Sequence, residues 1–258
     1  MTYSEIGRRI YEEHGASKPF LPLQPEDLVR TQRDAYDVQD HYVRLINDQG
    51  RGIGYKIGLT SARMQKMCSI DSPVAGVVFA DRVFQSGVHL KRHQFGRLGV
   101  EFEIGVRIGR DLDASEGPFT RETIEAAVDG VCAAVEVVDD RSADYSLLNA
   151  LSLIADNSWN AGIILGEWRH EWPALEDLKG SVSLDGTEID SGYGRDVLGH
   201  PFTPLAWLAN HLVERGGGLK AGDIVLTGSL VTTKFPKESG SFHYTLDGLG
   251  TVDFEVED

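Results

Sequence analysis

The first chemically telling pattern lies between Leu98 and Ile108. Leu98, Val100, Phe102, Ile104, Val106 and Ile108 share one parity, and Gly99, Glu101, Glu103, Gly105 and Arg107 share the other. Side chains of a strand alternate between its faces. The pattern therefore predicts an apolar face and, opposite it, two glutamates about 6.6 Å apart along the strand. Two carboxylates that close repel unless a counter-ion lies between them. The neighbouring glycines leave room for a ligand, although a plain solvated strand face would carry the same residues. A third carboxylate, Glu136, sits inside the run AAVEVVDDR. Apolar neighbours on both sides imply burial, which is costly for a carboxylate without a partner. A metal shared with Glu101 and Glu103 is one partner. An ion pair with Arg141 and a place at the sheet rim are the others.

Three carboxylates with no accompanying Cys or His cluster suit a hard, oxygen-seeking ion, Mg²⁺ or Mn²⁺. Zinc is disfavoured because the eight histidines show no H-x-x-x-H spacing. Three protein ligands leave about three positions open on an octahedral ion. A 2-oxo carboxylate fills two of them through its keto and carboxyl oxygens, and the ion then stabilises charge developing on the keto oxygen. The segment GYKIGLTS supplies a cation, Lys56, in a short apolar stretch next to glycines. Burial lowers a lysine pKa and nearby anions raise it. Lys56 therefore holds a substrate carboxylate, moves protons, or stands at a strand edge with its ammonium in water. The backbone N–H groups of Leu59 and Thr60, at a predicted helix start, are a candidate anion cradle.

Composition narrows the partners. The 258 residues carry 25 basic and 40 acidic side chains, a formal charge of −15, with 41% hydrophobic residues. These are ordinary values for a soluble globular chain, and the length suits one large domain or one domain with an appendage. The acidic balance argues against sequence-independent nucleic-acid binding and against an anionic membrane surface. Cys68 and Cys132 are too few for a disulfide framework or a four-thiolate zinc site, so both are expected to be reduced and buried. No run of about 18 apolar residues marks a membrane span. The start, MTYSEIGRRIYEEHG, has no apolar signal core. A cytoplasmic protein is the default expectation.

These residues need elements to position them. Ser4 to His14 and Pro25 to Asp48 read as helices, the second with Pro25 at its first position and Leu28, Ala35, Val38, Tyr42 and Leu45 along one face. Gly50 is the expected stop, and the seam to strand-rich sequence falls between Gly50 and Gly54. Gly54 to Leu59 is a predicted strand leading into a helix capped by Thr60 or Ser61. Val77 to Ala80, Leu98 to Ile108, Ala161 to Leu165 and Ile224 to Thr227 are further predicted strands. Thr120 to Val135 begins with helical spacing at Ile124, Val128, Val131 and Val135 before the apolar run to Val138. Thr203 and Pro204 open a helix that Gly216 to Gly218 close. Asp185-Gly186 and Asp247-Gly248 are hairpin signals, and Val252, Phe254 and Val256 alternate with acidic residues in a last strand. Trp168, Trp172 and Trp207 read as core or interface residues. The whole points to a largely antiparallel or mixed sheet.

Several segments taken in order resemble one family. They are Asp34-Ala35-Tyr36 with Gln39, YKIGLTS at 55–61, Pro73-Val74-Ala75-Gly76, EFEI at 101–104 and VEVVDDR at 135–141. IADN at 154–157, GHPFTPLAWLAN at 199–210 and LKAGDIVLTGS at 219–229 follow. Together they resemble the hydratase/decarboxylase branch of the fumarylacetoacetate hydrolase superfamily, the 2-keto-4-pentenoate hydratases and 4-oxalocrotonate decarboxylases. The resemblance implies an α+β fold with a mixed, rolled β-sheet core, in which residues 1–52 form an N-terminal helical region and 53–258 the catalytic domain. It implies a metal on Glu101, Glu103 and Glu136, a catalytic or substrate-binding Lys56, and a homo-oligomer. The implied substrates are small 2-oxo or 2-hydroxydienoic acids from aromatic ring cleavage.

Two departures bear on mechanism. Hydratases of the family usually carry an aspartate, a candidate acid/base, in the Pro-x-x-Gly turn, and the resemblance places Val74 of the expected turn Pro73–Gly76 at its position. Trp159 stands where small polar residues are expected, and it would reshape a substrate pocket it faced. Asp71 and Asp81 are candidate replacements for the lost carboxylate. Hydration needs a positioned acid and base, whereas decarboxylation needs mainly an electron sink, so the loss weighs more on hydration. The expectation is a divalent-metal-dependent lyase, first a 2-hydroxypenta-2,4-dienoate hydratase, second a 4-oxalocrotonate-type decarboxylase. An acylpyruvate-type C–C hydrolase would need a carboxylate-paired histidine, and His14, His89, His93, His200 and His211 show no partner spacing. A non-catalytic subunit in complex with a pathway enzyme is the remaining alternative.

Overall fold

The computed structural model describes residues 1–47 and 52–258. Asp48 and Gly50, the expected end and stop of the second helix and one side of the seam, lie outside them. Helices are α1 (Tyr3–Gly15), α2 (Gln32–Ile46), α3 (Ala62–Met67), α4 (Arg121–Glu125), α5 (Ala150–Ala155) and α6 (Phe202–Glu214). Strands are β1 (Gly54–Gly58), β2 (Val74–Val78), β3 (Val83–Gln85), β4 (Val88–Lys91), β5 (Leu98–Ile108) and β6 (Val128–Asp139), then β7 (Asn160–Leu165), β8 (Lys179–Leu184), β9 (Thr187–Tyr193), β10 (Ile224–Ser229), β11 (Gly240–Leu246) and β12 (Gly250–Glu257). They form a seven-stranded sheet in the order β2-β1-β10-β5-β6-β7-β3 and a five-stranded sheet in the order β4-β12-β11-β8-β9. Parallel pairs (β1 with β10, β3 with β7, β4 with β12) interrupt otherwise antiparallel ladders. The fold is α+β with mixed sheets, as expected.

The alternation in β5 explains the layering. Phe102 on its apolar face meets Phe242, Tyr244 and Phe254 of the second sheet at ring-centroid distances of 6.3, 5.4 and 6.4 Å. Burying such a face removes large aromatic and aliphatic areas from water, the dominant favourable contribution to folding. The opposite face, with Glu101 and Glu103, is left for the site.

The N-terminal helices brace the sheet edge. β2 is an outer strand, and the outward backbone groups of an edge strand need partners. Tyr36 Oη on α2 accepts from the Ala75 N–H at 2.9 Å, and Gln39 Nε2 donates to the carbonyls of Ala75 (2.9 Å) and Ile154 (2.8 Å). Two positions along, the Asn157 amide bonds both the N–H and the carbonyl of Val77. The resemblance segment containing Tyr36 and Gln39 therefore acts as an edge cover.

Some boundaries differ from expectation. Pro25–Asp27 is a separate 3₁₀ turn ended by Leu28 in the left-handed region, with Leu28 exposed rather than on a packed face. α2 starts later because Thr31 and Asp34 form a capping box, and Asp34 also takes the hydroxyl of Tyr3. Helical spacing past Glu125 is overridden, since residues from Val128 onward pair with β5 as a strand. The Pro73–Gly76 segment is not a turn: Val74–Gly76 open β2, and the strand expected at Val77–Ala80 begins earlier. Ser61 caps α3, accepting from Met64 N–H, so Leu59 and Thr60 precede the helix start. α6 begins at Phe202 after Pro201 rather than at Thr203. Cys68 and Cys132 are free and buried. Trp168, Trp172 and Trp207 are half-buried, and Trp207 stacks on His211.

Candidate active site

Antiparallel pairing sets Glu101 of β5 directly opposite Glu136 of β6, so their side chains share a face. Glu103, two residues along β5, falls on the same face. One oxygen from each of the three lies within 4.8 Å of the others. Lys56 arrives from β1, three strands away from β6 through β10 and β5. A flat sheet would place the two backbones roughly 14 Å apart. The sheet curls, and Lys56 Nζ stands 3.2 Å from Glu136 Oε1.

Each carboxylate is held by a different group. Asn160 Nδ2 donates to Glu136 Oε1 at 2.9 Å, and the Gly228 N–H donates to Glu103 Oε2 at 2.6 Å. The Thr233 hydroxyl donates to Glu101. Gly228 sits at the irregularity between β10 and β5 with φ of +117°. A Cβ there would lie 2.1 Å from Thr60 Oγ1, so only glycine fits. Gly76 is similarly required beside Lys56, because a Cβ on it would meet the Asn157 carbonyl at 2.5 Å.

Glu103 and Glu136 are fully buried and Lys56 is nearly so. Burial, together with the neighbouring glutamates, pushes the Glu103 carboxyl well above its ordinary value. Burial raises Glu136 to about 7 although Lys56 pulls the other way. For Lys56, burial alone would lower the pKa, but Glu136, Glu101 and Glu103 outweigh it and hold the ammonium charged. One ammonium against three carboxylates leaves the cluster short of positive charge. Moreover, Glu103 Oε1 and Glu136 Oε2 are buried without a hydrogen-bond partner among the described residues. Buried acceptors are rarely left unpaired. Oxygen-only donors converging with free lone pairs fit a hard divalent cation.

A cavity of about 530 Å³ opens over this cluster. Lys56, Leu59, Thr60, Glu101 and Trp159 all line it. Leu59 is in the left-handed region (φ +56°), with its carbonyl bonded by Gln65. Asn157, Ser158 and Trp159 are consecutive left-handed residues with φ of +50°, +51° and +62°. Such residues cost of order 1 kcal/mol each and persist where their surroundings hold them. Here the Asn157 and Ser158 side chains clasp β2. The turn swings Trp159 between the main cavity and a second one of about 380 Å³. Phe20 and Tyr145 meet its ring edge-on at 5.1 and 5.8 Å.

Val74 faces Lys56 across Gly58: the Val74 Cγ2 and Lys56 Nζ atoms each lie 3.4 Å from where a Gly58 Cβ would sit. The departure from the family pattern is therefore at the site itself. Asp71 and Asp81 are exposed and do not line the cavity, so neither replaces the missing carboxylate. Arg141 pairs with Asp156, not with Glu136. His14 does have a carboxylate partner, Asp156 at 2.5 Å, but it lines the second cavity behind Trp159. That pairing spans 142 residues and left no local signal.

Asn160, Gly228 and Thr233 hold the carboxylates without a functional signature in the sequence. Gly228-Ser229 reads as a structural turn, and the available signal was a glycine directly after a buried strand. Asn160 lies in the segment of the second family departure, three residues past Asn157. Thr233 carried no signal, because it comes from a loop that meets Glu101 only in the folded chain.

A family model described as fumarylacetoacetate (FAA) hydrolase C-terminal matches residues 55–257. The chain is 33% identical over 256 residues to a 2-hydroxyhexa-2,4-dienoate hydratase of Comamonas testosteroni, covering 96% of this chain and 95% of that protein. It is 32% identical over 256 residues to a 2-keto-4-pentenoate hydratase of Paraburkholderia xenovorans (strain LB400), covering 98% and 94%. The solved structure of 4-oxalocrotonate decarboxylase from Pseudomonas putida G7, complexed with magnesium and adipate, superposes with a TM-score of 0.92 at 26% identity, covering 98% of this chain and 97% of that one.

Proposed function

Because the chain belongs to the fumarylacetoacetate hydrolase family, we propose that it is a divalent-metal-dependent lyase of aromatic catabolism that hydrates a small 2-hydroxydienoic acid of the 2-hydroxypenta-2,4-dienoate (2-keto-4-pentenoate) type. The observation that carries this reading is the pair of buried, unpartnered carboxylate oxygens on Glu103 and Glu136 beside a charged Lys56. In it Glu101, Glu103 and Glu136 hold Mg²⁺ or Mn²⁺. A bound ion of this kind supplies a Lewis acid for the keto and carboxyl oxygens of a 2-oxo acid. The chain's own residues do the rest. Lys56 Nζ, 3.2 Å from Glu136 at the cavity wall, either binds the substrate carboxylate or moves protons to and from the substrate. Leu59 and Thr60 flank the acid end, and Trp159 closes the cavity wall.

A second reaction, decarboxylation of a 4-oxalocrotonate-type 2-oxo diacid, is favoured by Val74. An isopropyl group stands opposite Lys56 at the position where the family resemblance expects a candidate acid/base carboxylate. Both reactions use the same cluster, and one pair of assays separates them. With 2-hydroxypenta-2,4-dienoate the protein yields the 4-hydroxy-2-oxo acid; with 4-oxalocrotonate, CO₂ release reports the alternative. CO₂ release without hydration of the dienoate rejects the hydratase. In Glu103→Gln both turnover and Mg²⁺ binding by calorimetry are lost while the thermal transition persists. Undiminished turnover in that variant refutes the metal assignment.

Residues 53–258 supply the site, and residues 1–52 brace it through Tyr36 and Gln39. The family resemblance supports a cytoplasmic homo-oligomer; size exclusion with light scattering, run with and without a pathway enzyme, tests self-association and complex formation. No described helix is long and apolar enough to cross a membrane.

A further inference from the structure

Resting on the lyase reading, we propose that the cavity over Lys56 and Glu101 selects 2-oxo and 2-hydroxydienoic monoacids with a long apolar tail over short acids and over diacids. The first observation is size. A cavity of about 530 Å³ lies in the range that encloses drug-sized ligands. A five-carbon acid, with its polar head at the cluster, fills only a fraction of it.

The second observation is what the remaining wall offers. Met64 and Met67 enter from α3, Leu148 and Leu153 from α5 and the segment before it, and Val231 and Phe235 from the loop after β10. Methionine side chains adapt to irregular apolar shapes. Leu153 is buried within that wall, whereas Met67 is 43% exposed at it. Apolar surface of this kind gains from displacing water by hydrocarbon, and gains nothing from a carboxylate.

The third observation is charge. Apart from Lys56 and Glu101, the charged residues lining the cavity are Arg63, Asp190 and Asp196. Asp190 is neutralised by Lys234, and Asp196 accepts from the Tyr193 N–H and stays exposed. Arg63, at the start of α3, is exposed to water. Among the described lining residues, a second substrate carboxylate would meet two aspartates, one solvated guanidinium and neutral hydroxyls such as Ser191 and Thr232, with no buried cation beyond Lys56 to receive it. Solvated pairs of that kind contribute little.

Calorimetric titration in the presence of Mg²⁺ tests this without turnover. The probes are pyruvate, 2-oxobutanoate, 2-oxohexanoate, 2-oxooctanoate and the diacid 2-oxoheptanedioate. Each added methylene is expected to tighten binding about fourfold. The diacid is expected to bind no tighter than 2-oxobutanoate and to be indifferent to Arg63→Ala. In Met67→Glu the chain-length dependence flattens. Affinity independent of chain length overturns the proposal while leaving the lyase reading intact. So does a diacid that binds more tightly than 2-oxooctanoate and loses that advantage in Arg63→Ala. Failure of every 2-oxo acid to bind, pyruvate included, sinks the head-group reading and the proposal with it.

Discussion

On the proposed lyase reading, Val74 is the residue on which the choice of reaction turns. It is fully buried and faces Lys56 across Gly58. An aspartate there would gain the Lys56 ammonium as a partner, which offsets part of the cost of burying a carboxylate. Val74→Asp is expected to raise the rate of dienoate hydration relative to decarboxylation at least tenfold, within the roughly 10²–10⁴-fold that one positioned acid or base contributes. The product ratio from parallel assays checks it, and an unchanged ratio removes Val74 from the mechanism. At this scale the sequence was informative where chemistry is local. Two glutamates at strand spacing on a face with glycines announce themselves, as does a glutamate inside an apolar run. The hydrogen bonds that hold those glutamates were silent. They come from Asn160, Gly228 and Thr233, whose approach depends on pairings up to 132 residues apart.

Among the elements, the junction of β10 with β5 is the most demanding. The ladder slips between Leu226 and Ser229, and the extra length turns the Gly228 N–H onto Glu103. Irregularities of this kind bend a strand and re-aim its groups. Gly228→Ala sets a methyl against Thr60 and asks a side chain to adopt a φ that glycine tolerates best. The expected loss is about 2–4 kcal/mol of stability, read by chemical denaturation, together with weaker Mg²⁺ binding as Glu103 loses its donor. A variant as stable as the parent would show that the strand can relax without the glycine. Elements with strict alternation, β5 and β12, were legible to the residue or nearly so. The segments that misled were those in which two signals compete. Pro25 marks a helix start, yet the Thr31–Asp34 capping box wins, and spacing at Ile124 to Val135 mimics a helix until pairing with β5 takes over.

Over the whole molecule, the N-terminal helix α2 is tied to α6 through an aromatic contact that titrates. His211 of α6 stacks on Trp207 at 5.1 Å and meets Tyr36 of α2 at 4.4 Å. Burial, aided by the Arg215 guanidinium, lowers its pKa to about 4. An unfolded histidine near 6.5 binds a proton that the folded one refuses, so stability falls as the pH drops from about 6.5 to about 4. The full effect is on the order of 3 kcal/mol. His211→Phe keeps the stacking and removes the titration. It is expected to lose less stability than the parent between pH 7 and pH 4.5 in urea denaturation, and equal losses would exclude His211 as a contributor. This tie joins residues 175 positions apart (Tyr36 and His211), and nothing in the local sequence of α2 or α6 announces it. The overall class was nonetheless readable, because hairpin signals and alternating strands near both ends of the chain leave few arrangements other than mixed sheets.

The left-handed turn at Asn157 to Trp159 has an optical corollary. It suspends one indole in the partition between two chambers, edge-on to Phe20 and Tyr145, while the other three tryptophans lie off the main chamber. Filling that chamber changes the polarity around a single emitter, so ligand arrival should register as a shift or quench of native fluorescence with no dye attached. Trp159→Phe should silence that response and leave the emission of the other three. A titration curve unchanged in the variant would mean the light comes from elsewhere.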